Sequence, residues 1–362
     1  MDEGGGAPAA RPRPSRASGA QTGNGCRGDR YRGGVDHRPS LDPAVAEIRL
    51  AVRTALTGLD GGVVVGLSGG ADSLSLAAAV AFEAPKAGIA ATAVVVDHGL
   101  QDGSDAVAGH AADLARGLGL DARVVRVEVG ADGGPEAAAR VARRAALATA
   151  AREAGAAAIL LAHTLDDQAE SVLLGLARGS GATSLAGMAP ARSDDGLAWV
   201  RPLLTVRRTT TRAACAAEGL EPWDDPHNVD RRFARVRVRL DVLPLLETQI
   251  GPGVAEALAR TADQLREDAE AFADMIDETI EDIVEPAEAG IAISVAALAA
   301  NPAALRHRII RHVVGSEFGV ALTRAQTLEV ARLVTGWTGQ GPIDLPGCRA
   351  RRVGARLEFT AA

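Results

Sequence analysis

Six residues, Ser68-Gly69-Gly70-Ala71-Asp72-Ser73, stand between a β-branched run and an Ala/Leu-rich one. A strand-to-helix junction exposes backbone N–H groups at the positive end of a helix dipole, a setting that holds an anion such as phosphate. Gly69 and Gly70 allow close backbone approach, and Ser68 and Ser73 add hydroxyl donors. The run lacks lysine, so it is not the GxxxxGK loop of nucleotide triphosphatases, nor is it GxGxxG; an ordinary Gly-rich turn is the bland alternative. A second cluster begins at His163 and contains Asp166, Asp167 and Glu170, the last two spaced to share one helix face. Helix capping alone would also explain carboxylates there. Asp97 and His98 end another apolar run; like His163, His98 serves a structural hydrogen bond as readily as a ligand contact. Arg140 and Arg143 share a helix face, where solvated arginines are the plain reading. Arg235, Arg237 and Arg239 alternate: a strand turns all three to one side, whereas a helix brings Arg235 near Arg239.

These groups need a scaffold, and the hydrophobic periodicity supplies one. Helical spacing over 43–59 precedes a strand at 62–66, and strands at 91–96, 123–129 and 157–161 alternate with helices at 104–118, 135–154 and 166–176. This alternation predicts a doubly wound α/β fold, a parallel sheet covered on both faces. Ligands bind beyond the carboxyl ends of such strands, so the three polar clusters should converge on one cleft. After residue 190 the pattern turns irregular, with helices expected at 207–218, 253–285, 303–314 and 323–333 and short strands at 343–345 and 356–360. The expected domains are a basic disordered tail (1–40), an ATP-binding catalytic domain (41–250), an acidic helical linker (251–289) and a small C-terminal α/β domain (290–362).

Composition bounds the function. With 362 residues, 47% hydrophobic and 23% charged, the chain is neither wholly disordered nor collagenous. Three scattered cysteines, Cys26, Cys215 and Cys348, offer no disulfide framework or CxxC site, which points to the cytoplasm. No apolar run reaches membrane-spanning length. The net charge of -7 argues at first against a nucleic-acid partner. The charge is segregated, however: residues 260–288 hold eleven carboxylates against two arginines, whereas 290–362 hold nine arginines against four carboxylates. Such a pattern admits RNA at the C-terminal end. Lys86 is the only lysine, so phosphate contacts must come from arginine and backbone.

The SGGxDS run resembles the signature of the PP-loop ATP pyrophosphatases, an adenine nucleotide alpha hydrolase-like fold that cleaves ATP between its α- and β-phosphates. Further segments narrow the resemblance. Val96-Asp-His-Gly-Leu-Gln101, Ala162-His-Thr-Leu-Asp-Asp-Gln-Ala-Glu170, Arg178-Gly-Ser-Gly181 with Leu185-Ala-Gly-Met188, Arg201-Pro-Leu-Leu204, Asp225-Pro-His-Asn228 and Phe233-Ala-Arg-Val-Arg-Val-Arg239 are similar, in order, to stretches of the tRNA(Ile)-lysidine synthase family. Leu345-Pro-Gly347 resembles that family's LPG turn.

The resemblance implies ATP and Mg2+ as cofactors, with L-lysine and the CAU-anticodon isoleucine tRNA as partners. ATP adenylates the wobble cytidine and the ε-amine of lysine displaces AMP. Nucleotide contacts are then expected from Ser68, Gly69, Gly70, Ala71, Asp72, Ser73, Asp97, His98 and His163, with Asp72 holding Mg2+. Catalytic roles fall to Asp72, Arg140, Asp167, Glu170 and Arg235: Asp167 and Glu170 hold the ammonium or take its proton, and Arg140 with Arg143 clamps the α-phosphate. Arg144, Val236 and His227 stand where the family has Tyr, Asn and Ser. A cytidine 2-thiolating PP-loop enzyme, which needs paired CxxC motifs, and a silent nucleotide-binding module are the alternatives. The residues leave the oligomeric state open, a homodimer included.

Overall fold

The computed structural model describes residues 41–362 apart from 100–102, 131–133, 180 and 288–289. The expected tail, Cys26, Leu100, Gln101 and Ser180 lie outside the described residues.

Helix α1 (Pro43–Leu56) starts at an Asp42 cap and buries Val45, Ile48, Val52 and Leu56, the stripe its spacing announced. The chain then alternates: β1 (Gly62–Leu67), α2 (Ala71–Glu83), β2 (Ala91–Asp97), α3 (Ser104–Gly117), β3 (Asp121–Arg126), α4 (Pro135–Glu153), β4 (Ala156–Leu160) and α5 (Leu165–Ala177). A short α6 (Ala182–Leu185) leads to β5 (Ala191–Asp194), β6 (Leu197–Val200) and α7 (Arg208–Ala217). The sheet order is β3-β2-β1-β4-β6-β5, parallel except for the β5–β6 hairpin.

Residues on β1 divide between two layers because side chains alternate along a strand. Val63, Val65 and Leu67 join the core with α1, α2, α3 and α7, whereas Val64 packs with Leu147, Ala150 and Ala151 of α4. The doubly wound α/β expectation therefore holds. Small residues let the layers close: a Cβ on Gly66 would lie 3.3 Å from Leu147.

The hairpin corrects the expectation of irregular chain after residue 190. Asp195 and Gly196 both have positive φ (49° and 75°), the turn that Asp-Gly favours between paired strands. β6 delivers Trp199 to the α4-side core. β3 begins two residues earlier than expected and stops at Arg126; as an edge strand it is mostly exposed, so its apolar alternation is weak.

Beyond α7, a helical turn α8 (Ala234–Arg237) passes through one π turn over Val238–Val242 into α9 (Leu243–Gln249), and the 30-residue α10 (Val254–Ile283) follows. Ala255 and Ala259 near its start pack with Leu165 and Ala169 of α5. Ile276 and Ile283 near its end enter a separate core with Ile293, Leu298, Ile309, Ile310 and Phe359. The acidic helix thus buries its apolar stripe at both ends and leaves most of its carboxylates in water. The C-terminal part comprises β7 (Val284–Ala287), β8 (Gly290–Ser294), α11 (Val295–Ala300), α12 (Ala303–Phe318), α13 (Arg324–Thr335), β9 (Ile343–Leu345), β10 (Cys348–Val353) and β11 (Arg356–Ala361). Its sheet, β7-β8-β11-β10-β9, is antiparallel throughout. Among the described residues no helix is long and apolar enough to cross a membrane.

Candidate active site

The carboxyl ends of β1, β2 and β4 bring the three polar clusters together. At β1 the Ser68 N–H donates to Ser73 Oγ (3.1 Å), and the two hydroxyls lie 3.0 Å apart. Gly69 takes a φ of 82°, which a side chain would strain, and its carbonyl accepts from the Trp223 N–H at 3.0 Å. Gly70 caps α2 and, being glycine, brings no side-chain acceptor to the first-turn N–H groups. Ser68, Gly70, Ala71, Asp72 and Ser73 line a cavity of about 710 Å³ that Asp167, His163 and Arg143 also line.

The acidic cluster opens α5. Thr164 and Asp167 form a reciprocal capping box: Thr164 N–H and Oγ1–H both donate to Asp167 Oδ2 at 2.9 Å, and Thr164 Oγ1 accepts from the Asp167 N–H. The other oxygen, Oδ1, accepts from Arg208 Nη2 at 2.8 Å and Arg239 Nη2 at 3.3 Å. Asp167 therefore both caps the helix and carries an ion pair. Burial opposes its charge, but Arg208, the Thr164 N–H and Arg235 together hold its pKa below the ordinary carboxylate value. Glu170, fully buried, accepts from Arg208 Nη1 (3.1 Å), Arg235 Nε (2.9 Å) and Arg239 Nε (2.7 Å). Asp166 Oδ2 accepts from the Arg208 backbone N–H at 2.8 Å.

Asp72 joins the same network. Its Oδ2 accepts from Arg208 Nε at 3.3 Å, and its Oδ1 from Thr211 Oγ1. Burial pushes its pKa up, against the pull of Thr211 and Arg208. Among the described residues no group of three or more His, Cys, Asp or Glu could hold a metal by itself. A lone carboxylate beside a phosphate loop fits an ion that arrives with phosphate oxygens and keeps its waters.

The helical alternative applies to the arginine run. Arg235 and Arg239, four residues apart, converge on Glu170, while Arg237 turns away to the carbonyls of Arg231 and Arg232. Val236 is buried between them. Arg208 and Thr211, on α7, were missed in the sequence; the only signal was an Arg207-Arg208 pair shortly after Arg201-Pro-Leu-Leu.

Two further chambers adjoin. One of about 270 Å³ is lined by the apolar Leu67, Val95, Val107 and Ala108 together with Asp97 and His98. The Ser104 hydroxyl and the Gly99 N–H hold the Asp97 pKa down. The other, about 350 Å³, is lined by Arg140, Arg143, Arg144, His98, His163 and Trp199 among others. Arg143 lines all three cavities and makes no ion pair among the described residues. Arg140 is exposed. Arg144 stacks over Trp199, 4.4 Å from the ring centroid, and pairs with Asp194, which gives this position a stacking role without an aromatic side chain. His227 sits in a short turn capped by Asp225 and meets the edge of Phe233. Gln168 explains the segment ending at Met188: it bonds both backbone groups of Met188, and a Cβ on Gly187 would lie 2.6 Å from its Oε1.

His98 and His163 both have a buried Nδ1 without a hydrogen-bond partner among the described residues. Burial is the main reason the His163 pKa falls from 6.5 to about 4. An imidazole kept neutral in the fold contributes stability that is complete above pH 6.5 and is lost as pH falls from there towards 4. Melting temperatures across that window should fall less steeply for His163→Gln than for the parent chain; identical slopes would contradict this.

Comparison with known proteins adds the following. Residues 51–246 match the PP-loop domain family and residues 293–358 the TilS substrate binding domain family. The tRNA(Ile)-lysidine synthase of Leifsonia xyli subsp. xyli is 60% identical over 299 residues, 82% of this chain and 89% of that protein. The protein of the same name from Thermobifida fusca is 49% identical over 316 residues, 86% of this chain and 95% of that one. Among solved structures, the U34-tRNA thiolase NcsA from Methanococcus maripaludis, with its 4Fe-4S cluster, superposes with a TM-score of 0.52 at 21% identity, covering 62% of this chain and 80% of that one, a likeness of fold alone.

Proposed function

The chain belongs to the tRNA(Ile)-lysidine synthase family, and from that premise we propose how its residues carry out the reaction: ATP adenylates the wobble cytidine of a CAU-anticodon isoleucine tRNA, and L-lysine displaces AMP to give lysidine. It is a ligase that uses ATP and forms a C–N bond on tRNA(Ile). The observation that carries the assignment of roles is the meeting of a phosphate-loop carboxylate, Asp72, and an amine-compatible carboxylate, Asp167, in one cavity.

The first-turn N–H groups of α2, with Ser68 and Ser73, hold the triphosphate. Asp97 and His98 line the adenosine chamber, whose apolar residues suit a planar base. Asp72 would hold Mg2+, and the ion would supply neutralising charge to the phosphate oxygens. Arg143, which has no carboxylate partner among the described residues, and Arg140 at the neighbouring chamber face the charge that develops on the α-phosphate. Asp167 receives the lysine ammonium and takes its proton, so that a neutral amine attacks C2 of the cytidine, the C2–O2 bond breaks and the adenylated O2 departs with AMP. Glu170, held by Arg235 and Arg239, fixes the helix face that presents Asp167.

We assign residues 41–250 to catalysis, 251–289 to a linker whose last strand, β7, joins the C-terminal sheet, and 290–362 to tRNA binding, with the cytoplasm as the site of action. In the last of these, Arg306, Arg311, Arg324 and Arg332 make no ion pair among the described residues, which supports contact with tRNA phosphates. Cys215 and Cys348 are buried in separate cores, so no observation favours the thiolating alternative. The test is the fate of the nucleotide: turnover should yield AMP and pyrophosphate and require the tRNA. ADP and phosphate as products would overturn the reading.

A further inference from the structure

One guanidinium spans both halves of the site. Arg208 donates from Nε to Asp72 (3.3 Å), from Nη2 to Asp167 (2.8 Å) and from Nη1 to Glu170 (3.1 Å). Its backbone is anchored separately, through its N–H on Asp166, so the side chain can change partners without moving α7. The three carboxylates depend on it unequally. Glu170 keeps Arg235 and Arg239 if Arg208 leaves, and Asp72 keeps Thr211. Among the described residues Asp167 Oδ1 keeps only the 3.3 Å approach of Arg239. Arg208 also lines the cavity that contains the phosphate loop. A guanidinium fork matches phosphate oxygens, and a polyphosphate arriving beside it competes directly with the carboxylates.

We propose that Arg208 is a positioning residue through which ATP binding opens the lysine site: the phosphates draw its guanidinium towards them and free Asp167 to receive the ammonium of lysine. The proposal rests on the functional reading above. Arg208 occupies the carboxylate that lysine needs, so a nucleotide that draws it away strengthens lysine binding, and by reciprocity lysine strengthens nucleotide binding to the same degree. The arrangement would keep lysine from settling in an active site that has no nucleotide to activate the cytidine.

Calorimetric titration of the full chain with L-lysine, with and without α,β-methylene-ATP and Mg2+, tests this without turnover. The parent protein is expected to bind lysine about tenfold more tightly with the nucleotide present, within the usual range of coupling between sites. In Arg208→Gln the ratio should fall to about twofold or less, because lysine already binds the nucleotide-free variant well. Arg208→Lys keeps a cation without the fork and should restore part of the ratio. If Arg208→Gln retains the parent's ratio and only melts earlier, Arg208 is a structural tie and the coupling is wrong, with the functional reading intact. If the parent binds no lysine in either condition, the functional reading fails and the coupling with it.

Discussion

Asp167→Asn is expected to lower the rate of lysidine formation by about 10² to 10⁴, the usual contribution of a positioned general base. Asparagine has nearly the same shape, so helix α5 keeps its start: the side-chain oxygen can still accept from Thr164, at a cost of about 1 kcal/mol if the box is imperfect. What disappears is the charge at Oδ1, which faces Arg208. An amide can neither hold an ammonium as an ion pair nor take its proton. Lysine would then remain protonated and unreactive at neutral pH, while nucleotide binding at the loop continues. The measurement is single-turnover formation of the modified nucleoside at low and saturating lysine. A parent-like rate at both concentrations would remove Asp167 from the chemistry and leave it a cap.

Glu170→Gln is expected to destabilise the catalytic half by about 3 kcal/mol, because removing one partner of a buried ion pair leaves uncompensated charge. The Glu170 side chain is 1% exposed and meets three arginines that are each about a quarter exposed or less, so solvent can do little to replace it. Glutamine keeps one acceptor oxygen but turns an NH2 group towards guanidinium donors. Urea unfolding followed by tryptophan fluorescence should show the shift, since Trp199 and Trp223 both lie in the catalytic half. A change below about 1 kcal/mol, the range of exposed pairs, would show that the network contributes little to the fold.

The contrast between these two carboxylates could not be read from their spacing. Asp167 and Glu170 share one helix face, and sequence alone assigned them one task. Burial separates them: Glu170 points into protein, where Arg235 and Arg239 take both its oxygens, and Asp167 borders the cavity. Features set by local chain were legible. The β-branched run of β1, the Gly-Gly junction after it and the helical stripe of α1 depend only on near neighbours. Arg208 was not legible because its partners Asp72 and Asp167 lie 136 and 41 residues away. The run 235–239 alternates Arg and Val, a pattern that fits either period, and packing on Glu170 selected the helix. β5 was missed because its Ala-Arg-Ser-Asp sequence lacks apolar alternation, although Asp195-Gly196 marked the turn. β7 was missed because it is a short edge strand with Pro286, a residue tolerated only where no ladder bond is needed.

The central claim is that one cavity joins ATP cleavage to the attachment of lysine on a tRNA base. It is tested most directly by incubating the full chain with ATP, Mg2+, L-lysine and an in vitro transcribed CAU-anticodon isoleucine tRNA, then digesting the RNA and weighing the wobble nucleoside. The account predicts a cytidine heavier by one lysine less one water, formed only when ATP and lysine are both present. An unmodified cytidine, or one carrying sulfur in place of oxygen, would contradict it.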